Sequence, residues 1–203
     1  MGIVRRAAIG ALCLVALTGC SAESASGPVI PTTSLTASPV PVGAVVPDRM
    51  ADVPSAVPTR ISIPALGMVV PVGVMDASAC PVLDPPTLDD AYWVGCRGRP
   101  GTDSDGTVFI IGHSLSGGEA VFNELPKLAP GDDVEVTTTR GTLVYRVQRT
   151  ATYAKFGEVQ TSPEVIERVP GRLVLVTCMR TPEGGETDDN FVAQAELVGA
   201  IAA

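Results

Sequence analysis

The sequence is poor in positive charge and in aromatic side chains. Its 14 lysines and arginines face 22 aspartates and glutamates, which gives a formal net charge of -8, and aromatic residues make up only 4%. Only two of the basic residues, Lys127 and Lys155, are lysines. A chain this acidic lacks the basic surface that nucleic acids bind. We therefore expect no nucleic-acid partner.

The sequence also lacks the residues that a zinc site needs. It has one histidine, and its five cysteines include no C-x-x-C pair. Structural zinc sites draw four ligands from closely spaced cysteines and histidines. We expect neither a metal nor another cofactor.

Short apolar runs dominate the second part of the chain. Val, Ile and Thr recur in them, and many of the 18 prolines and 21 glycines interrupt them. Such runs are typical of strands joined by turns. The predicted strands are 60–63, 69–75, 90–94, 107–112, 134–138, 143–153, 172–177 and 191–198. Eight strands favour a closed barrel or a sandwich, and two short helices are predicted at 120–127 and 162–169.

The N-terminus carries a targeting signal. Arg5 and Arg6 precede an apolar stretch at 7–17 that is too short to span a bilayer comfortably. The following "LTGC", which ends at Cys20, resembles the lipobox of bacterial lipoproteins, in which the cysteine is lipidated after cleavage. We predict a signal peptide at 1–19 and a lipid on Cys20. An ordinary signal peptide or an uncleaved anchor is the alternative.

A linker is predicted between this signal and the folded domain. Residues 20–58 are rich in Ser, Thr, Ala, Val and Pro and show neither a helical nor an alternating pattern. Pro-rich chains of this kind are extended and semi-stiff. The folded domain is predicted at 59–203, held by a lipid anchor on the outer face of the cytoplasmic membrane.

Three cysteines belong to the predicted domain. An exported domain with three thiols is expected to pair two of them. Cys80 and Cys96 lie in loops that flank one short strand, whereas Cys178 ends the apolar strand "RLVLVTC". We predict a Cys80–Cys96 disulfide and a free Cys178. The alternative is that Cys80 and Cys96 are both reduced.

The segment "GHSLSGG" at 112–118 resembles the serine elbow of an α/β-hydrolase. That enzyme class needs a histidine base after the serine, and no histidine follows Ser114. The single histidine, His113, is its direct neighbour, and neighbours on a strand point to opposite faces. Position 116 is Ser where the elbow has Gly. These points argue against Ser114 as a nucleophile.

A thiol and an imidazole remain as a candidate catalytic pair. Cys178 and His113 each close an apolar strand. In acyl transfer a thiolate attacks the carbonyl carbon while an imidazolium protonates the departing amine. The competing interpretation is an inert core thiol and an ordinary loop histidine.

Several segments together resemble a bacterial sortase, closest to the actinobacterial classes E and F. They are "RISIPALGMVVPV", "YWVG", "TVFIIGH", "EAVFNELPKL", "PGDDVEV", "RLVLVTC" and "DNFVAQAEL". The resemblance covers residues 60–197 and implies an all-β fold, a closed eight-stranded barrel with one or two short helices.

The resemblance also implies a cysteine transpeptidase. Cys178 would attack the Thr-Gly bond of an LPxTG-like or LAxTG-like sorting signal, and His113 would serve as acid and then base. Thr177 would help to shape the oxyanion site. The expected partners are the sorting signal of a surface protein and an amine acceptor on a cell-wall precursor or a pilin. We expect the enzyme to be a monomer.

One position departs from the sortase pattern. Sortases carry an arginine on the last strand, and Asp188 stands there in this chain. An aspartate opposes both a thiolate and an oxyanion. Arg180, two residues after Cys178, is a candidate replacement because alternate residues of a strand face one side.

Two other hypotheses stay open at this stage. A catalytically weak or inactive sortase-like lipoprotein would bind a peptide without turning it over. An L,D-transpeptidase is suggested by the "C-x-R" spacing of Cys178 and Arg180, but those enzymes carry Ser-His-Gly before the cysteine, and Leu-Val-Thr stands here.

Overall fold

The computed structural model describes residues 50–75, 80, 84–155, 158–181 and 183–203. The predicted signal peptide at 1–19, the lipid site Cys20 and the linker up to residue 49 lie outside these residues. Within the described part of the chain, no helix is both long enough and apolar enough to cross a membrane.

Eight strands form a closed barrel. They are β1 (Pro58–Ile63), β2 (Met68–Met75), β3 (Ala91–Val94), β4 (Val108–Ile111), β5 (Asp133–Thr138), β6 (Gly141–Ala154), β7 (Arg172–Arg180) and β8 (Glu186–Ala202). Their order around the barrel is β1-β2-β3-β4-β7-β8-β6-β5, with β5 closing on β1. Each strand overlaps a predicted one, so the predicted fold class is confirmed.

Apolar layers cover both faces of the sheet at β4 and β7. On β7, Leu173 and Leu175 belong to the cluster that fills the barrel, whereas Val174 and Val176 belong to a second cluster on the outer face. Strands buried on both faces are continuous apolar runs rather than alternating ones. This explains why β4 is buried throughout and β7 is buried from Leu173 to Thr177, with the polar residues of β7 only toward its two ends.

The helix predicted at 162–169 is shorter than expected. The region 162–169 contains only α2 (Pro163–Ile166), which follows the one-turn α1 (Glu158–Thr161). Glu167 is already extended at φ -55° and ψ 139°. Its carbonyl accepts a hydrogen bond from the Thr107 hydroxyl, which ties the end of α2 to the start of β4.

The prediction of a helix at 120–127 was wrong. The segment forms turns followed by a 3₁₀ turn at Leu125–Lys127. Pro126 has no N–H to donate and its ring clashes with the carbonyl four residues earlier, so an α-helix cannot run through it. The side chain of Asn123 accepts from the Leu115 N–H and donates to the Gly118 carbonyl, which fixes the loop after β4 instead.

The packed domain extends beyond the predicted boundary at Thr59. Val53 is fully buried in the barrel core. Its N–H donates to the Thr102 hydroxyl, and its carbonyl accepts from the Thr102 N–H. Residues just before β1 therefore close one end of the barrel, although their composition matches the linker.

A disulfide joins Cys80 to Cys96, as predicted, with 6.1 Å between the Cα atoms. It ties the loop between β2 and β3 to the turn that follows β3. Cys178 is the free cysteine of the described residues.

Candidate active site

The site is built where β4 and β7 end side by side. The two strands are parallel and pair Ile111 with Val176. The Gly112 N–H donates to the Val176 carbonyl at 3.2 Å, which continues the register by one residue. His113 and Cys178 each come two residues after the last pair. The register therefore brings the imidazole and the free thiol to the same level of neighbouring strands.

Cys178 faces the outer side of the barrel. Side chains alternate along a strand, so Cys178 shares the face of Val176, which belongs to the outer cluster. Thr177 between them is buried and its hydroxyl donates to the Gly112 carbonyl at 2.9 Å. The Thr177 hydroxyl thus joins β7 to β4 on the barrel side, while the half-buried thiol stays on the accessible side.

The His113 ring is held by the loop that the disulfide anchors. Its Nε2 lies 2.8 Å from the Pro85 carbonyl oxygen and 3.8 Å from the Asp84 carboxylate. A carbonyl can only accept, so Nε2 carries a proton and donates it. Nδ1 is then the nitrogen whose protonation changes in acid–base chemistry. The ring is 25% exposed, so a ligand at the protein surface can reach it.

Ser114 has a structural role. Its side chain is buried, and its hydroxyl donates to the Cys178 carbonyl at 2.6 Å. A buried hydroxyl that donates to a carbonyl has no base to deprotonate it and no path to a substrate. Ser114 therefore fastens the segment after β4 to the backbone of the thiol-bearing residue, and the serine-elbow resemblance has no chemical counterpart.

Arg180 also binds the segment that follows β4. Its Nε donates to Ser114 Oγ at 3.2 Å, and its Nη2 donates to the Ser114 carbonyl. Its Nη1 lies 3.3 Å from a Glu186 carboxylate oxygen, although without hydrogen-bond geometry. The predicted replacement for the sortase arginine is thus held against Ser114 by two of its three nitrogens.

The sortase domain family matches residues 61–198 of the chain. The chain belongs to the sortase family. Its fold agrees with solved sortases. Listeria monocytogenes sortase A is 23% identical with a TM-score of 0.54, over 73% of this chain and 91% of that one. Sortase C-3 from Streptococcus pneumoniae is 22% identical with a TM-score of 0.54, and the match covers 75% of this chain and 67% of that one. No curated protein matches the sequence.

The last strand of this sortase bulges opposite the site. β7 and β8 pair Cys178 with Asn190 and then Arg180 with Glu186, with a register shift between the two pairs. Three residues of β8 therefore lie opposite the single Met179. Asp188, the residue in the place of the sortase arginine, is exposed within this bulge.

Asn190 completes a row of side chains across the sheet. It pairs with Cys178 on one side and with Tyr153 of β6 on the other. Burial, and then the hydrogen bond that its hydroxyl donates to Glu164, raise the pKa of Tyr153. The row on the outer face of this sortase is therefore His113, Cys178, Asn190 and a neutral tyrosine.

Sequence reasoning found some of these residues and missed others. It named His113 and Cys178, which the register makes neighbours, and Arg180, which lies beside them. It missed the structural role of Ser114 and the position of Asn190 beside Cys178. The proposed lipid site, Cys20, lies outside the described residues.

Proposed function

We propose that this sortase is a cysteine transpeptidase with Cys178 as nucleophile and His113 as its acid and base. One observation carries the proposal: the register of β4 and β7 makes the free thiol of the described residues and the only histidine of the chain neighbours. Both side chains are half-buried, as a pair that must meet a substrate needs to be.

The first half-reaction forms a thioester. The Cys178 thiolate attacks the carbonyl carbon of the scissile peptide bond, and the carbonyl electron pair moves onto oxygen. When that pair returns, the carbon–nitrogen bond breaks and the His113 imidazolium gives its proton to the departing amine. The acyl group is then held on sulfur, and His113 is neutral.

The second half-reaction restores the enzyme. An amine acceptor attacks the thioester carbon, and neutral His113 takes a proton from the attacking nitrogen. The tetrahedral species collapses with sulfur as the leaving group. The products are a new amide, a Cys178 thiolate and a His113 imidazolium, so that protons and electrons balance over the cycle.

The substrate proposed for this chemistry is an LPxTG-like or LAxTG-like sorting signal, cut between Thr and Gly. The acceptor is proposed to be an amine of a cell-wall precursor or a pilin. A lipid on Cys20 and a linker up to residue 58 would hold the domain on the outer face of the cytoplasmic membrane. The sortase-like segments at 60–197 support the proposed substrate and acceptor, and the lipobox-like "LTGC" supports the lipid on Cys20.

The test uses the full chain and two fluorescent peptides, one with each sorting motif, together with triglycine as the amine. We expect cleavage and ligation that Cys178→Ala abolishes and His113→Ala lowers by about 10²-fold or more. A control, Arg168→Ala, changes an exposed loop arginine and should keep the wild-type rate. A chain that ligates equally well without Cys178 would refute the proposal.

A binding module without turnover is the second candidate, because Asp188 puts a negative charge where sortases carry an arginine. A thiol-reactive sorting-peptide analogue separates the two. The transpeptidase becomes labelled at Cys178, whereas the binding module retains the peptide reversibly and stays unlabelled.

A further inference from the structure

Asn190 is the residue directly across β8 from the proposed nucleophile. It is the register partner of Cys178. Paired residues of antiparallel strands point to one face, with Cβ atoms about 4.5–5.5 Å apart. The Asn190 carboxamide therefore lies on the opposite side of the thiol from His113, within reach of a group bound to sulfur.

The carboxamide of Asn190 is free to meet a ligand. Asn190 is half-buried, and within the described residues its side chain has no hydrogen-bond partner. Its amide nitrogen keeps two N–H groups to donate. Its other cross-strand neighbour, Tyr153, already donates its hydroxyl to Glu164.

Three polar side chains on β7 and in the segment after β4 are already engaged. The Thr177 hydroxyl donates to the Gly112 carbonyl, and the Ser114 hydroxyl donates to the Cys178 carbonyl. Arg180 donates through two nitrogens to Ser114 and has a Glu186 carboxylate 3.3 Å from the third. Moving any of these donors to a substrate would break a contact that holds β4 to β7.

We propose that Asn190 is a catalytic residue, the donor to the oxyanion that forms when Cys178 attacks an acyl group. This rests on the proposed function. As the carbonyl electron pair moves onto oxygen, an Asn190 N–H donates a hydrogen bond to that oxygen and keeps its own proton. The interaction is stronger in the tetrahedral state than in the substrate, so it accelerates acylation. Arg180 then acts as a positioning residue through Ser114.

The experiment compares two reactions of the Cys178 thiol in the full chain. p-Nitrophenyl acetate acylates the thiol through an oxyanion, whereas iodoacetamide alkylates it without one. Rates measured on Cys178→Ala are subtracted to remove other nucleophiles. The variants are Asn190→Ala and Asn190→Asp, and the matched control is Gln148→Ala, which removes an exposed carboxamide on β6.

We expect Asn190→Ala to lower the acylation rate by about 10²-fold, the loss typical for one oxyanion donor, and to leave alkylation within about twofold. Asn190→Asp should not rescue acylation, because a carboxylate cannot donate. Acylation that is unchanged in Asn190→Ala would overturn the inference. An equal loss in both reactions would also overturn it, since it would indicate a structural role.

Two outcomes separate this inference from the proposed function. If wild-type Cys178 is acylated with the expected Asn190 dependence but neither sorting peptide is cleaved, the donor role stands and the transpeptidase proposal fails. If both peptides are cleaved and Asn190→Ala acylates at the wild-type rate, the transpeptidase stands and the donor role fails. If iodoacetamide alkylates wild-type Cys178 but the ester cannot acylate it, the donor role fails, and the two sorting peptides alone decide the transpeptidase proposal.

Discussion

Alanine at Gly112 tests whether close packing holds the histidine in place. Gly112 immediately precedes His113. A Cβ atom there would lie 2.6 Å from Val121 Cγ1 and 2.7 Å and 3.0 Å from two ring carbons of Phe122. Ordinary carbon–carbon contacts are about 3.5–4.0 Å. Both side chains, or the backbone of Gly112 itself, must therefore move by about 1 Å.

The displacement would be passed on to His113. Phe122 is fully buried in the core, so its ring has little room to yield. Its N–H donates to the His113 carbonyl at 2.9 Å. Overpacking of this kind costs about 1–3 kcal/mol of the free energy of unfolding. A misplacement of about 1 Å at a catalytic group can cost about 10²-fold in rate.

The assay measures unfolding in urea and acylation of the free thiol on the same preparations. The matched control is Gly118→Ala in the same loop, where the nearest atom, Leu115 Cδ1, is 3.5 Å from the added Cβ. If Gly112→Ala and Gly118→Ala are equally stable within about 0.5 kcal/mol and equally reactive, the packing argument is refuted.

Three further predictions concern the disulfide, the Asp103 carboxylate and Asp188 in the bulge of β8. Replacing Cys80 and Cys96 by serine opens a loop of 16 residues, so the free energy of unfolding should fall by about 3 kcal/mol in urea titrations; no loss would contradict the crosslink. Hydrogen bonds from the Ser55 hydroxyl and then its N–H lower the pKa of Asp103. The ionised Asp103 carboxylate therefore stabilises the fold fully above the ordinary pKa of an aspartate, and this effect is lost as pH falls through the lowered pKa. Asp103→Asn should flatten the acid side of a plot of melting temperature against pH. The same profile in the variant and the wild type would contradict this prediction. Asp188→Arg replaces a negative charge in the bulge opposite Met179 by a positive one and should raise the acylation rate by about fivefold, the effect of 1 kcal/mol on a barrier; an unchanged or slower rate would refute an electrostatic effect of this position.

The barrel could be predicted from the sequence because its signals are local. Runs such as "TVFII" and "RLVLV" are too short for buried helices and are bounded by Gly and Pro, so they indicate strands with both faces buried. The ends of the strands were less well predicted. β8 was predicted at 191–198 but runs from Glu186 to Ala202, because hydrogen bonds to β6 and β7 keep its polar ends extended. The helix predicted at 120–127 does not form, because Pro126 lacks the N–H that an α-helix needs at that position.

The candidate site could be predicted only in part. Cys178 and His113 stand out because each is the single residue of its chemical kind left over at the end of an apolar strand. Asn190 gave no such signal, because its place beside Cys178 depends on the register of a hairpin with a bulge. Arg180 was predicted by alternation to face the thiol, but its hydrogen bonds go to Ser114 in the segment after β4.

The order of apolar and breaking residues determined the strands, and the cysteine contexts determined which thiols pair and which stays free. These are properties of short segments, and chain neighbours decide them. The tertiary structure alone decided which side chains meet: Pro85 with His113, Ser114 with Arg180, and Asn190 with Cys178. The physical reason is register. A shift of one residue between two strands moves every side chain to the opposite face, and the continuous apolar runs of β4 and β7 show no alternation that would specify their register.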